Sequence, residues 1–184
     1  MQIIRRASLV ATPWKNGGGV TRQIACLPPA ADISNFDWRI STAEVSQDGA
    51  FSRFDGVDRR LYILEGAGLD LRFGGQDALR LRTGEHIDFA GEADVHGVLI
   101  DGPVTDLNIM VRRDRMRMRA ERISVDGTAD IEHGWGMAAL FVLKGEMSVM
   151  DSVAQPNDTV LLDGTQAMTV SGSAELLLIG FAPA

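Results

Sequence analysis

The stretch Leu61-Tyr62-Ile63-Leu64-Glu65-Gly66 returns in the second half of the chain as Leu140-Phe141-Val142-Leu143-Lys144-Gly145. Each copy is an apolar run that ends in a charged residue and a glycine, the pattern of a buried strand entering a turn. A second strand, a polar turn and a further apolar strand follow each copy, and each series closes on an apolar strand, at 106–111 and 175–181. A repeat of about 75 residues made of short strands predicts two copies of one β unit.

Short apolar or alternating runs bounded by Gly, Asp, Pro or Asn continue along the rest of the chain. No window keeps a 3.6-residue apolar period for three turns, so we expect an all-β protein without long helices. The order strand, glycine turn, strand, polar turn, strand is that of a jelly roll. Periodicity alone also allows other β-sandwiches.

Composition narrows the class of protein. The chain has 184 residues, 45% of them hydrophobic, which suits one domain or two small ones sharing a core. Its 18 basic and 25 acidic residues give a net charge of −7, which argues against nucleic-acid binding. The lone Cys26 cannot form an internal disulfide. The chain opens on no signal peptide and carries no membrane-length apolar run, so we expect a cytoplasmic protein that does not enter a membrane.

The glycine run Gly17-Gly18-Gly19 lies inside the segment 13–22, between Trp14, Asn16, Thr21 and Arg22. Glycine provides no side chain and permits close approach of a ligand to the backbone. An ordinary turn between two strands explains the same residues. The segment 13–22 is not a phosphate loop, because its lysine precedes the glycines. We expect Asn16, Thr21 and Arg22 to face a pocket, and Trp14 either to contact a ligand or to pack in the core.

Several ordered motifs resemble one family. They are Pro-Trp-Lys-Asn-Gly-Gly-Gly at 13–19, Phe-Asp-Trp-Arg-Ile-Ser at 36–41, Asp-Gly-x-Phe-Ser-x-Phe at 48–54 and Gly-Pro-Val-x-Asp-Leu-Asn at 102–108. Together they are similar to the HutD/Ves proteins, which are linked to bacterial histidine utilisation. The resemblance implies an RmlC-like double cupin, with two jelly-roll barrels at 1–113 and 114–184 packed as one compact unit. The segment 113–131 would link the two halves.

Many cupins hold a divalent metal through histidines and a glutamate. By this resemblance, the glutamate position of the first barrel falls on Arg59, and the two histidine positions fall near 52–55. His96 lies close to the position of the last histidine ligand of this barrel but is shifted from it. In the second barrel Ala138 takes the glutamate position, and Gln166 is the nearest candidate for the last histidine. A guanidinium at a ligand position repels a divalent cation, so we expect no metal and no other cofactor.

Polar residues replace the metal ligands. By two-residue alternation, Arg59 shares a face with Leu61, Arg39 with Ser41, and Asn108 with Asp106 and Met110, so three strands can aim polar groups into the first barrel. A buried Arg59 would pair with Asp55 or Asp58 as a structural strut, or with a bound carboxylate. Acid–base chemistry by Asp55, Asp58 and Asp106 is a further alternative.

We therefore expect a metal-free protein that binds a small anionic metabolite in its N-terminal barrel and acts as a regulatory or protective factor, as a homodimer. The resemblance suggests urocanate or a formylated acidic amino acid as the ligand. A cupin isomerase or hydrolase and a protein-interaction module are the alternatives. The expected ligand-binding residues are Trp14, Asn16, Gly17, Gly18, Thr21, Arg22, Arg39, Ser41, Arg53, Asp55, Arg59, Asn108 and Met110.

Overall fold

The computed structural model describes residues 1–164 and 167–184. The chain divides into two compact units, one formed by Val10–Arg115 and the other by Met1–Leu9 together with Met116–Ala184. We call them the N-terminal and the C-terminal unit. The first nine residues, expected in the N-terminal half, belong to the C-terminal unit because strand β1 (Gln2–Ile4) pairs with residues 159–161.

Short strands make up the N-terminal unit, as the sequence patterns predict. They are β2 (Ala11–Pro13), β3 (Gly19–Leu27), β4 (Trp38–Val45), β5 (Gly49–Ala50), β6 (Val57–Glu65), β7 (Leu69–Phe73), β8 (Leu79–Leu81), β9 (His86–Ala90), β10 (Val95–Leu99) and β11 (Val104–Arg112). One sheet has the order β2-β3-β4-β11-β6-β9, and a second has the order β5-β10-β7-β8.

Strand β11 lies between β4 and β6, and this position determines which side chains meet. Met110 lies opposite Arg39 on one side and Arg59 on the other, and Asn108 lies opposite Ser41 and Leu61. Directly opposed residues of a sheet point to the same face. That face, which we call the inner face, continues into an apolar core that includes Val45, Leu61, Ile63, Leu69, Leu71, Leu81, Val95 and Val104.

The C-terminal unit is built on β1 and five further strands. They are β12 (Met116–Ile131), β13 (Met137–Val149), β14 (Ser152–Ala154), β15 (Thr159–Asp163) and β16 (Met168–Pro183). The sheet order is β1-β15-β13-β16-β12, and β14 pairs with β13. Its core includes Leu140, Val142, Met147 and Leu176, and the unit also buries the polar residues His133, Asp158 and Thr159.

Two expectations for this unit are wrong. The segment 113–131, expected as a linker, contains strand β12, which pairs with β16 over its whole length and places Val125 and Ile131 in the core. Gly145 ends no strand: β13 continues through it, with a register shift between Val142 and Lys144. The positive φ of 73° at Gly145 accommodates this irregularity, and a Cβ there would collide with the Ser173 carbonyl oxygen. No helix among the described residues is long and apolar enough to cross a membrane.

Candidate functional site

Two arginine side chains are buried on the inner face of the N-terminal unit. Arg39 and Arg59 are each only 7% exposed, from β4 and β6, on either side of Met110. Ser41 and Asn108, which form the next row of the sheet, are 1% and 5% exposed. The alternation of the sequence therefore predicted correctly that three strands bring Arg39, Ser41, Arg59, Asn108 and Met110 together. We call these five residues and Asp106 the polar cluster.

A chain of hydrogen bonds runs from Arg59 into the core. Arg59 Nε donates to Asn108 Oδ1 at 2.7 Å, and Asn108 Nδ2 donates to Asp106 Oδ1 at 2.6 Å. Burial raises the pKa of Asp106 to about 7, against the opposing effects of the Arg59 charge, the Ala43 backbone N–H and Asn108. Burial likewise lowers the pKa of Arg59 to about 10, so this guanidinium is still charged at neutral pH.

Three aromatic rings surround the Arg59 guanidinium. Its Cζ lies 5.0 Å from the centroid of Phe51, 5.2 Å from that of Phe89 and 5.9 Å from that of Phe54. A guanidinium near aromatic faces is stabilised by the ring quadrupoles. Arg59 Nη1 has only a long contact of 3.5 Å, to the Ser52 carbonyl oxygen. The rings therefore enclose Arg59 with apolar groups and leave hydrogen-bonding capacity on its outer nitrogens.

Arg39 lies in a more polar surrounding. Its Nε donates to Gln23 Oε1 at 2.9 Å, and its Nη1 donates to Ser41 Oγ at 2.9 Å and contacts Met110 Sδ at 3.9 Å. Burial lowers the pKa of Arg39, and the nearby Cys26 thiol acts in the opposite direction. Gln23 is exposed, so Arg39 connects the polar cluster to the surface.

Neither buried guanidinium has a carboxylate as an ion-pair partner among residues 1–164 and 167–184. The strut expected with Asp55 or Asp58 is not formed: Asp58 pairs with Arg113 at 2.9 Å, and Asp55 is exposed. The Nη2 atom of Arg39 and of Arg59 donates no hydrogen bond to any residue within the described ranges. The polar cluster thus carries two cations, two guanidinium nitrogens without a hydrogen bond to any described residue, and one carboxyl group whose pKa burial raises to about 7.

The glycine run forms the turn of a hairpin between β2 and β3. Trp14 N–H donates to the Gly19 carbonyl oxygen at 2.9 Å, and Asn16 Oδ1 accepts from the Gly18 N–H at 3.0 Å. Gly17, at φ 72°, is exposed at the tip together with Asn16. The ordinary-turn interpretation thus accounts for Asn16, Gly17 and Gly18, and the structure places none of their side chains in the polar cluster.

Trp14 and Thr21 bind each other: the indole Nε1 donates to Thr21 Oγ1 at 2.8 Å. Trp14 also packs on the apolar core next to the polar cluster, as the core-packing interpretation expects. Thr21 lies opposite Ala43 and therefore shares the inner face. Arg22 lies opposite Thr42 on the other face and pairs with Glu44 at 2.6 Å, so the structure separates it from the cluster.

Arg53 and Asp55 are also separate from the polar cluster. Both side chains are exposed in the loop between β5 and β6, because Phe51 and Phe54 take the inward positions of this loop. Sequence analysis did not identify Phe51, Phe54, Phe89 or Gln23 as parts of the site. Phe89 lies directly opposite Arg59, and Gln23 lies opposite Ser41, so only the strand register could have identified Phe89 and Gln23.

The donor set does not fit a cupin metal centre. The inner face presents two guanidiniums, a hydroxyl, an amide, a thioether and the single carboxyl group of Asp106, but none of the imidazoles that a cupin metal needs. His96 is exposed on β10, and no group of three or more metal-ligating side chains occurs within the part of the chain that the structure describes. Gln166 lies outside the described residues.

Comparison with known proteins gives a consistent result. A family model described as HutD matches residues 6–179. The chain is 29% identical over 177 residues to an uncharacterized 21.2 kDa protein in the hutC 3′ region of Pseudomonas putida, covering 96% of this chain and 90% of that protein. It is 35% identical over 144 residues to protein Ves of Cronobacter sakazakii, covering 78% of this chain and 76% of that protein.

The solved structure of HutD from Pseudomonas fluorescens SBW25 superposes with a TM-score of 0.87 at 27% identity, covering 100% of this chain and 98% of that chain. The all-β, double-cupin fold that the sequence predicted is confirmed.

Proposed function

This chain belongs to the HutD family, and we propose that its N-terminal unit binds a small anionic metabolite of histidine breakdown in a regulatory or protective role. The family is linked to histidine utilisation, which sets the metabolic context. The proposed site is the polar cluster, and we place the protein in the cytoplasm.

One observation carries this proposal: two arginines are buried on the same face, one on each side of Met110, without a carboxylate at ion-pair distance in the described ranges. An uncompensated buried cation costs several kcal/mol in effective terms, so such groups are usually paired. A ligand carboxylate would supply the missing partner and accept two hydrogen bonds from one planar guanidinium. The cluster is thus better suited to a bound anion than to an empty interior.

Urocanate and formylglutamate are the two candidate ligands. Both carry a carboxylate that could accept from Arg59 Nη2, which is not used by any described residue. Urocanate adds a flat conjugated ring, which the rings of Phe51, Phe54 and Phe89 would accept as a neighbour. Formylglutamate adds a second carboxylate, for which Arg39 is the available cation.

A second candidate function is catalysis, an isomerase or hydrolase activity, because Asp106 is a buried carboxyl group with a pKa of about 7. Asn108 stands between Asp106 and Arg59, however, and Asp106 is only 1% exposed. Binding without conversion is therefore the better account. Incubation of urocanate or formylglutamate with the purified protein distinguishes binding from catalysis, because an enzyme would convert the added compound into a new product.

Thermal-shift measurements test the proposal. A ligand that binds only the folded state raises the melting temperature. We expect urocanate or formylglutamate to raise it in a concentration-dependent way, whereas the matched neutral ligands, urocanate methyl ester and the diamide of formylglutamate, leave it unchanged. An equal shift with the neutral ligands would contradict a site built on arginine–carboxylate pairing.

A further inference from the structure

Asp106 is the one titratable carboxyl group of the polar cluster, and in the proposed anion site it contacts no ligand directly. It belongs to the central strand β11, is 1% exposed and makes no ion pair at salt-bridge distance within the described ranges. A carboxyl group in such a place is costly when ionised. Its connection to Arg59 through the single residue Asn108 therefore calls for a physical role.

The contacts of Asp106 connect it to the anion site through one residue. Asp106 Oδ1 accepts from Asn108 Nδ2, which orients the amide so that its oxygen, and not its NH2 group, faces Arg59 Nε. Arg59 Nε is thereby held toward β11, while Nη1 makes only its long contact with Ser52 and Nη2 bonds to none of the described residues. Asp106 thus fixes the orientation of Arg59 without touching any ligand that Arg59 holds.

Few charges surround this carboxyl group. Arg59 faces it from β6, and Arg39 from β4 acts in turn on Arg59. Its two direct neighbours across the sheet, Ala43 on β4 and Ile63 on β6, are uncharged. The charge of Arg59 is therefore the main electrostatic support for the ionised form of Asp106.

We infer that Asp106, acting through Asn108, is a positioning residue that couples the binding of an anion at Arg59 to the uptake of a proton. The inference rests on the proposed function. An anion on Arg59 offsets the positive charge that supports ionised Asp106, and this raises the pKa of Asp106 above its value of about 7 in the free protein. The complex then holds a proton that the free protein has partly lost.

The sign of the coupling follows from linkage. Because the complex binds more protons than the free protein, affinity is highest at low pH and falls as pH rises above about 7. For one coupled proton, the decrease reaches at most about tenfold per pH unit, until the pKa of the complex is passed. Asp106→Asn keeps an acceptor for Asn108 Nδ2 but cannot ionise, so it should behave as the protonated protein at every pH.

Calorimetric titration with formylglutamate tests the coupling, because this probe does not titrate between pH 6 and 8.5. Titrations near pH 7 in two buffers of different ionisation enthalpy measure the protons taken up by the wild-type protein. We expect an uptake of a fraction of one proton, and an affinity that falls several-fold between pH 7 and 8. Asp106→Asn should show neither effect, whereas Asp55→Asn, which alters an exposed carboxylate, should show both.

The outcomes separate the two proposals. Binding without proton uptake by the wild-type protein, or equal pH dependence in Asp106→Asn, overturns the coupling and leaves the anion site intact. The wild-type measurement decides this even if the variant does not fold. Absence of binding by formylglutamate, and by urocanate titrated above pH 7 where its imidazole is neutral, overturns the proposed function and the coupling with it.

Discussion

Three ionisable side chains of the polar cluster are buried without an ion-pair partner in the described ranges. Arg39, Arg59 and Asp106 are each at least nine-tenths buried. Among residues 1–164 and 167–184, their hydrogen-bonding neighbours are the amides of Asn108 and Gln23, the Ser41 hydroxyl, the Met110 thioether and backbone groups. In the free protein, the aromatic rings around Arg59 supply part of the missing stabilisation, about 0.5–2 kcal/mol for such a contact. The nitrogens of Arg39 and Arg59 that bond to no described residue are the donors that the proposed anion would use.

Asp106 gives the free protein a defined dependence of stability on pH. The pKa of Asp106 is about 7 in the folded protein and 3.8 for an ordinary aspartate, so the folded state retains a proton that the unfolded chain has lost. The stabilising contribution of Asp106 to the free energy of unfolding is therefore fully present below about pH 4. It is lost as pH rises through about 7, by at most about 1.4 kcal/mol per pH unit. We expect the free energy of unfolding of the wild type to fall relative to that of Asp106→Asn between pH 5 and 8, as measured by urea denaturation. Parallel profiles for the two proteins would show that Asp106 ionises normally.

The strands and turns around the site differ in how well the sequence predicts them. Alternation along β4, β6 and β11 was sufficient to place Arg39, Arg59 and Asn108 on one face, because regular strands impose a two-residue period. The loop that carries Phe51 and Phe54 has no such period, and it orients its rings inward and its charges outward. The register shift between Gln23 and Ala25 on β3 likewise cannot be read from composition. The missing part of the site thus comes from loops and from strand register.

The β2–β3 hairpin offers a test of why its glycines are present. A Cβ on Gly19 would collide with the Glu44 carbonyl oxygen and lie 3.2 Å from the Trp14 ring, whereas a Cβ on Gly18 would approach only Asn16, at 3.4 Å. Gly19→Ala must move the backbone of β4 or the indole, so we expect a loss of about 2 kcal/mol or more in the free energy of unfolding. Gly18→Ala, the matched control, should cost less than about 1 kcal/mol. Chemical denaturation of both variants measures this, and equal losses would contradict the packing of Gly19 on β4.

At the scale of the whole chain, the internal repeat predicted two β units but not what distinguishes them. The C-terminal unit buries His133, Asp158 and Thr159 but no arginine, whereas the N-terminal unit buries Arg39 and Arg59 beside its apolar core. The sequence also could not predict that the first nine residues belong to the C-terminal unit, because the pairing of β1 with β15 is a long-range contact with no local signal. The repeat thus determines the architecture, and the site depends on which unit buries arginines on its inner face.

The purified protein is expected to carry no stoichiometric transition metal, because guanidiniums occupy the inner face where a cupin metal would need imidazole and carboxylate ligands. Elemental analysis should find well under one equivalent of iron, manganese, nickel or zinc. A full equivalent that is lost on His96→Ala would show that a metal site exists and that this account of the inner face is wrong.

Self-association is a further prediction at this scale. Strands β2 and β12 are edges of their sheets, and exposed edges and broad apolar faces of jelly rolls often become dimer surfaces. We expect a homodimer in solution. Light scattering coupled to size exclusion measures the mass directly, and a monomer mass across micromolar concentrations would exclude the dimer.

The central claim is that Arg59 holds a ligand carboxylate, and calorimetric titration of urocanate and formylglutamate into three proteins tests it most directly. These are the wild type, Arg59→Met, and the control Arg60→Met, which changes the next residue of β6 and removes an ion pair with Asp88. A charge-assisted hydrogen bond contributes about 1.5–3 kcal/mol, so Arg59→Met should weaken binding roughly tenfold to a hundredfold, and Arg60→Met should bind as the wild type does. Equal affinities of the wild type and a folded Arg59→Met would contradict the claim.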